Sequence, residues 1–207
     1  MKMAMMCEKL KINIWNVIEA SSSKPFGFEA FYPGPGTGGH CIPLDPMYLY
    51  WKAKSKNFFS RFIQVANDVN QNMPNYILNR ISNNLNKKSI PLKNSKILVI
   101  GVSYKKNVAD YRESPSIKII KLLQQKNCIV SYHDNYVDKI SLKSENNKNI
   151  IIHNTNIQNN SLKKFDLVVI LTDHDYINWK NILKDSRSIF DTRNVFKGNA
   201  IDKIELL

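Results

Sequence analysis

The run Lys96-Ile97-Leu98-Val99-Ile100, stopped by Gly101, constrains the fold more than any other part of the chain. Consecutive branched apolar residues closed by a glycine read as a short strand buried on both faces, the form that parallel sheets take when helices cover them. A polar loop follows. Ser114-Pro115 then supplies a helix N-cap with proline at the first helical position, ahead of Ile117, Ile119, Ile120, Leu122 and Leu123. The alternation continues: Cys128 to Tyr132 reads as a strand ending in His133-Asp134, and Asp166 to Leu171 as a stronger one. A turn at Thr172 to Asp175, a helix near Trp179 to Leu183 and a last strand at Ser188 to Phe190 complete it. The stretch 141–161 is Asn-rich, with Ile150 to Ile152 its one strand candidate. The predicted fold class is α/β, with a doubly wound, Rossmann-like parallel sheet. Such sheets bind ligands at the carboxyl ends of their strands, which singles out Gly101 to Arg112, the segment from Asp134 onward, Thr172 to Asp175, and Asp191 to Asn194.

The sheet is preceded by a helical segment. Apolar residues at helical intervals predict a helix over Met3 to Ala20; Ser, Gly and Pro then predict a long irregular loop over 21–46. Helix resumes at Met47 to Lys56 and again from Ser60, where Phe62, Val65, Ala66 and Val69 form an apolar stripe, and Pro74 kinks or restarts it. Pro91 marks a boundary, giving two units, 1–90 and 91–207.

Charge narrows the partners without choosing one. The formal net charge of +13 over 207 residues favours an anionic ligand. The lysines are dispersed among asparagines, as in Asn83 to Lys88, which fits a solvated surface and not a nucleic-acid face. Three cysteines without a CxxC pair argue against a disulfide framework, and no apolar run is long enough to cross a bilayer. The expected compartment is the cytoplasm. His133, His153 and His174 lack ligand spacing, so no metal is expected. Asp134 ends the second strand, where a dinucleotide fold places its ribose-binding carboxylate; a turn or cap role fits equally.

The densest motif runs from Phe31 to Pro46. Gly34, Gly36 and Gly39 formally match GxGxxG, but the segment neither follows a strand nor directly opens a helix, so it is not a dinucleotide fingerprint. Glycines among prolines suggest a stiff loop whose backbone amides come close to a ligand. Cys41, flanked by His40 and with Asp45 four positions on, is a candidate nucleophile; a small buried thiol is the alternative. Cys7, Cys128, Trp15, Trp51 and Trp179 read as core.

Three segments carry a resemblance. Gly38-Gly39-His40-Cys41-Ile42-Pro43-Leu44-Asp45-Pro46 resembles the active-site loop of the UDP-glucose/GDP-mannose dehydrogenase family. Gly101 to Pro115 is similar to the signature at the first strand of its UDP-binding domain, and Phe190-Asp191-Thr192-Arg193-Asn194 to its closing strand and loop. The matches span essentially the whole chain in order. His-Cys-Ile-Pro after Pro-Gly-Pro-Gly is similar to the branch acting on UDP-N-acetylhexosamines.

The resemblance implies oxidation of the sugar C6 alcohol to a carboxylate, for surface polysaccharide synthesis, by two hydride transfers to NAD. Cys41 would trap the aldehyde and carry a thioester, and Asp45 would position water and protons. Tyr32, Pro33, Gly34, Pro35, Gly36, Thr37 and Gly38 match the stretch along the sugar and phosphates. Tyr104, Lys105 and Arg193 match further substrate contacts, and Lys24 lies near the basic residue that reaches a neighbouring subunit's site. Arg112 matches an arginine that reaches NAD, alongside Cys41, Ile42, Pro43 and Leu44; its plainer reading is an ion pair with Asp110 or Glu113.

By the same resemblance, the helical segment is part of a dimerisation domain, and the chain is a carboxyl-terminal portion without the NAD-binding domain. The isolated chain is then expected to be inactive, with a homodimer partner or a separately encoded amino-terminal half. The rival readings are a non-catalytic UDP-sugar-binding and dimerisation module, a degenerate fragment, and a nucleic-acid binder resting on charge alone.

Overall fold

A computed structural model describes residues 1–143, 149–157, 161–197 and 201–207. The element order is α1 (Lys2–Lys9), α2 (Ile14–Ser22), α3 (Cys41–Lys54), α4 (Arg61–Asn86), β1 (Lys96–Ile100), α5 (Pro115–Gln125), β2 (Ile129–His133), β3 (Lys139–Lys143), β4 (Asn149–His153), β5 (Leu167–Ile170), α6 (Trp179–Asp185), β6 (Ile189–Asp191) and β7 (Ile204–Leu206). The sheet is parallel with strand order β2-β1-β5-β6-β7. The order reverses between β1 and β5, the position where open α/β sheets form their binding crevice.

Burial on both faces of β1 explains its apolar run. Ile97 and Val99 point into a core shared with Ile119, Ile120 and Leu123 of α5 and with Ile77, Ile81 and Leu85 of α4. Leu98 and Ile100 point the other way, toward Val168, Ile170, Ile182 of α6 and Leu162. Period-two alternation therefore feeds two cores from one strand. Ser114 caps α5 by accepting from the Ser116 backbone N–H, with Pro115 in the first turn, as expected from the sequence.

Several boundaries differ from the sequence-based expectation. The first helix is broken at Leu10 to Asn13: Lys11 takes a left-handed φ of 57°, and the Asn13 side chain accepts from Trp15 N–H at 2.9 Å to start α2 afresh. Helix α3 begins at Cys41 and not near Met47, because Pro43 sits in the first turn, where no backbone N–H is required. Helix α4 continues through Pro74 without interruption. Ile150 to Ile152 belong to an antiparallel hairpin, β3 with β4, and β7 is an additional parallel strand beside β6. Residues 144–148 and 158–160 of the Asn-rich stretch lie outside the described residues.

One buried charge ties the ends of the chain together. Arg80 of α4 is 8% exposed and donates to Glu205 Oε1 from Nε (3.1 Å) and Nη2 (2.9 Å), and to the Leu206 carbonyl (2.9 Å). It also pairs with Glu8 of α1 at 3.5 Å, while Tyr76 donates to Glu8 at 2.7 Å and Asn84 to Glu205 at 3.0 Å. Burial pushes the Glu205 carboxyl up, but the Asn84 and Arg80 hydrogen bonds outweigh it and hold the group below its ordinary value.

Arg80→Ala strands two carboxylates and should destabilise the fold by about 3 kcal/mol, read as a lower urea midpoint. Because the folded-state pKa of Glu205 is depressed, its stabilisation is complete above the unfolded value, about pH 4.3, and disappears as pH falls through the folded one. Glu205→Gln should flatten the loss of stability between about pH 5 and 3; an unchanged slope would show that other carboxylates carry it.

Candidate functional site

The glycine loop lies against the carboxyl ends of the sheet's strands. Pro33, Gly34 and Pro35 are buried. A Cβ on Gly34 would stand 3.0 Å from Arg193 Nη1, and one on Gly38 would stand 2.8 Å from Tyr104 Cβ, 2.9 Å from Pro115 Cδ and 3.1 Å from the Glu113 carbonyl. Gly39 takes a φ of 82°, and its Cβ would meet the Tyr104 ring at 3.0 Å. A Cβ on Gly36 would stand 3.5 Å from the Asn70 carbonyl, the group that Pro74 leaves without its helical donor. Close backbone approach thus brings Gly34 to Gly39, Tyr104 and Arg193 into one neighbourhood.

Cys41 follows at the start of α3 as an exposed free thiol. Asp45 lies one turn further along the same helix and is exposed, as are Ile42 and Leu44, with Pro43 half-buried. The buried-thiol reading therefore fails for Cys41 and holds for Cys7 and Cys128. Tyr32 is exposed and stacks on Trp15 with centroids 5.7 Å apart. Lys24 is exposed beyond α2.

From the sheet, Tyr104 is half-buried and Lys105 exposed. Arg193 is held by its own backbone N–H on Asp191 Oδ1 (2.9 Å) and by its Nε on the Leu171 carbonyl (2.8 Å), with Asp173 at 3.9 Å. Burial lowers its pKa, opposed by Asp173 and Asp191. Asp191 is fully buried, and burial pushes its carboxyl up against the backbone N–H groups that it accepts from. Arg112 pairs with Asp110 through Nε (3.0 Å) and Nη2 (2.8 Å), the plainer of its two readings. These bonds hold Asp110 down at about 2. Trp51 is exposed, unlike the core role expected of it.

The Asp134 carboxylate does not face a ribose. Its Oδ2 accepts from Val102 N–H (2.9 Å), Ser103 N–H (3.2 Å), Ser103 Oγ (3.1 Å) and His174 Nε2 (3.1 Å), and its Oδ1 accepts from Tyr136 N–H (2.9 Å). Burial raises its pKa, but His174 and these backbone donors bring the balance below the ordinary value. The residue is fully buried, so its carboxylate takes the turn role and not the ribose-binding one. Sequence reasoning gave His174 no part in this cluster; its position on a strand-end loop was the available signal. Among the described residues, no group of His, Cys, Asp and Glu could hold a metal ion, and no helix is long and apolar enough to cross a membrane.

Comparison with known proteins places these features in a family. Residues 98–198 match the UDP-binding domain of the UDP-glucose/GDP-mannose dehydrogenase family, and residues 1–72 match that family's central domain. The chain is 32% identical over 97% of its length to the UDP-N-acetyl-D-mannosamine dehydrogenase of Methanococcus maripaludis, covering 44% of that protein. It is 28% identical to the NDP-N-acetyl-D-galactosaminuronic acid dehydrogenase of Ralstonia solanacearum, again over 97% of the chain and 44% of the relative. The solved UDP-D-ManNAc dehydrogenase of Pyrococcus horikoshii superposes with a TM-score of 0.80 at 26% identity, over 99% of this chain and 46% of that one. The chain thus spans less than half the length of these relatives.

The glycine contacts rank substitutions. A methyl at Gly38 crowds the Tyr104 Cβ, the Pro115 ring and the Glu113 carbonyl, none of which can yield, whereas one at Gly34 crowds only the Arg193 guanidinium, which must shift by a few tenths of an ångström. Gly38→Ala should speed proteolysis within 23–40 and lower Tm by several degrees, with Gly34→Ala much milder. Equal effects would contradict the packing described.

Proposed function

This chain belongs to the UDP-glucose/GDP-mannose dehydrogenase family, and from that premise we propose that it provides the thiol and nucleotide-sugar side of a UDP-sugar 6-dehydrogenase. The substrate we assign is a UDP-N-acetylhexosamine, oxidised at C6 to the uronate in the cytoplasm. The observation that carries the reading is the seating of the Gly34 to Gly39 loop on Tyr104 and Arg193, with the exposed thiol of Cys41 two residues beyond it.

Each residue has a physical task. Lys105 and Arg193 pair with the diphosphate, the guanidinium in a fixed fork and the ammonium as a point charge. Loop amides from Tyr32 to Gly38 line the sugar and phosphates. Cys41 adds to the C6 aldehyde as a thiohemiacetal; once the second hydride has gone to NAD the adduct would be a thioester, from which sulfur leaves readily when water attacks. Asp45, one helical turn away, orients that water and handles its proton. NAD, when bound, accepts the hydrides; Arg112 and the amino end of α3 are this chain's contacts to it.

The helical segment supplies a dimer surface in this reading. On α3 and the first half of α4, Ile42, Tyr48, Leu49, Trp51, Phe62 and Val65 are exposed, with Phe62 at 92%. That apolar area fits a second copy of the chain, or an amino-terminal half, better than water.

Titration calorimetry with UDP and UDP-N-acetylhexosamines tests binding: Lys105→Ala and Arg193→Ala should each weaken affinity by about tenfold or more, and Cys41→Ser should leave it unchanged. With an NAD-binding half supplied, NADH formation should accompany uronate production and fall about a thousandfold in Cys41→Ser. Binding without NADH formation would favour the non-catalytic module, while salt-sensitive DNA binding that UDP fails to displace would favour the nucleic-acid reading.

A further inference from the structure

Between the tips of β1 and β5 lies a cluster that no step above uses. His174 is fully buried, and its two ring nitrogens have opposite partners. Nδ1 accepts from the Asn107 backbone N–H at 3.0 Å, so it carries no proton; Nε2 lies 3.1 Å from Asp134 Oδ2 and therefore donates. The ring is neutral and held in one tautomer. Its far partner, Asp134, also gathers Val102 N–H and Ser103 N–H, the first residues of the loop that leaves Gly101. One carboxylate and one imidazole thus grip that loop at both ends, at 102–103 and at 107. Tyr104, Lys105 and Lys106 are the residues between.

The surroundings keep the grip rigid. The Tyr136 and Tyr176 rings cover the imidazole with centroids 5.2 and 5.4 Å away, and burial pushes the Tyr176 phenol up to about 12, so it stays neutral beside it. Thr172 Oγ1 donates to the Ser103 carbonyl at 2.7 Å from the same strand tip. A second strap is exposed: Asp175 takes Lys106 Nζ at 3.1 Å and the Asn107 side chain, an arrangement that solvent weakens. Asn107 itself has a left-handed φ of 60°, a conformation that needs such support.

We propose that His174 is a positioning residue for nucleotide-diphosphate binding: held by Asp134, its Nδ1 fixes the Asn107 N–H and so sets where Tyr104 and Lys105 meet the ligand. The inference rests on the reading of Tyr104 and Lys105 as nucleotide-sugar contacts, and it predicts that the two nitrogens of His174 have separable effects.

The experiment replaces them one at a time in the full chain. His174→Asn places an amide oxygen near the Nδ1 position, where it accepts from Asn107, but gives up the reach to Asp134. His174→Gln reaches Asp134 and gives up the acceptor for Asn107. Hydrogen exchange at the Asn107 amide should accelerate about tenfold in His174→Gln and little in His174→Asn, with the amides of β1 protected in both. UDP affinity should fall about tenfold in His174→Gln and stay near that of the parent in His174→Asn. In a Lys105→Ala background, the His174→Gln effect on affinity should largely vanish, which a general loss of stability would not produce. Unchanged Asn107 exchange in His174→Gln, or an undiminished affinity loss in the Lys105→Ala background, overturns the positioning role. If the folded parent chain binds no UDP, the functional reading fails instead, while the exchange comparison still decides whether His174 holds the loop.

Discussion

The closure at Gly101 is the constraint on which the rest of the molecule depends. With a φ of 81°, this residue turns the chain off β1 so tightly that a Cβ there would stand 2.4 Å from Thr172 Cβ and 2.6 Å from the Thr172 carbonyl. Only glycine fits. The turn brings the tips of β1 and β5 together, and the loop that follows inherits a position between Asp134 and His174. Without that contact, Tyr104 would have no fixed place from which to meet the glycine loop, and the strand-end crevice would have no floor.

The site is therefore assembled from two kinds of backbone economy. On the sheet side, glycine and buried polar side chains hold a loop that carries an exposed lysine. On the helical side, glycines without side chains let the Pro33 to Gly39 backbone lie directly on a tyrosine ring and a guanidinium. Close packing and buried hydrogen bonds hold both sides in shape. The carboxylate that a dinucleotide fold would present to a ribose has here been turned inward to serve this framework.

Local signals made much of this legible. The apolar β1, the Ser114 cap with Pro115, and the glycine loop before Cys41 each announce themselves within a few residues, and the α/β class follows from their order. Other features escaped for identifiable reasons. The break between α1 and α2 keeps the apolar period on both sides, so only Asn13 as a cap betrays it. Helix α3 starts among prolines that resemble loop residues. β7 has only three residues, too few for a pattern. Arg80 and Glu205 are separated by 125 positions, and His174 and Asp134 by 40, so no spacing rule links them. The stripe at Phe62 and Val65 was visible, but its exposure belongs to tertiary structure.

Helix α4 has a mechanical consequence. Its 26 residues form a rod about 39 Å long, whose first half carries α3 and whose second half is embedded in the sheet's core. Pro74 removes one rung from the ladder where the two halves meet. A push on the outer half would thus reach α5 and the core beneath it as a small tilt about that missing rung, making the helix a lever with its fulcrum beside the Asn70 carbonyl and Gly36.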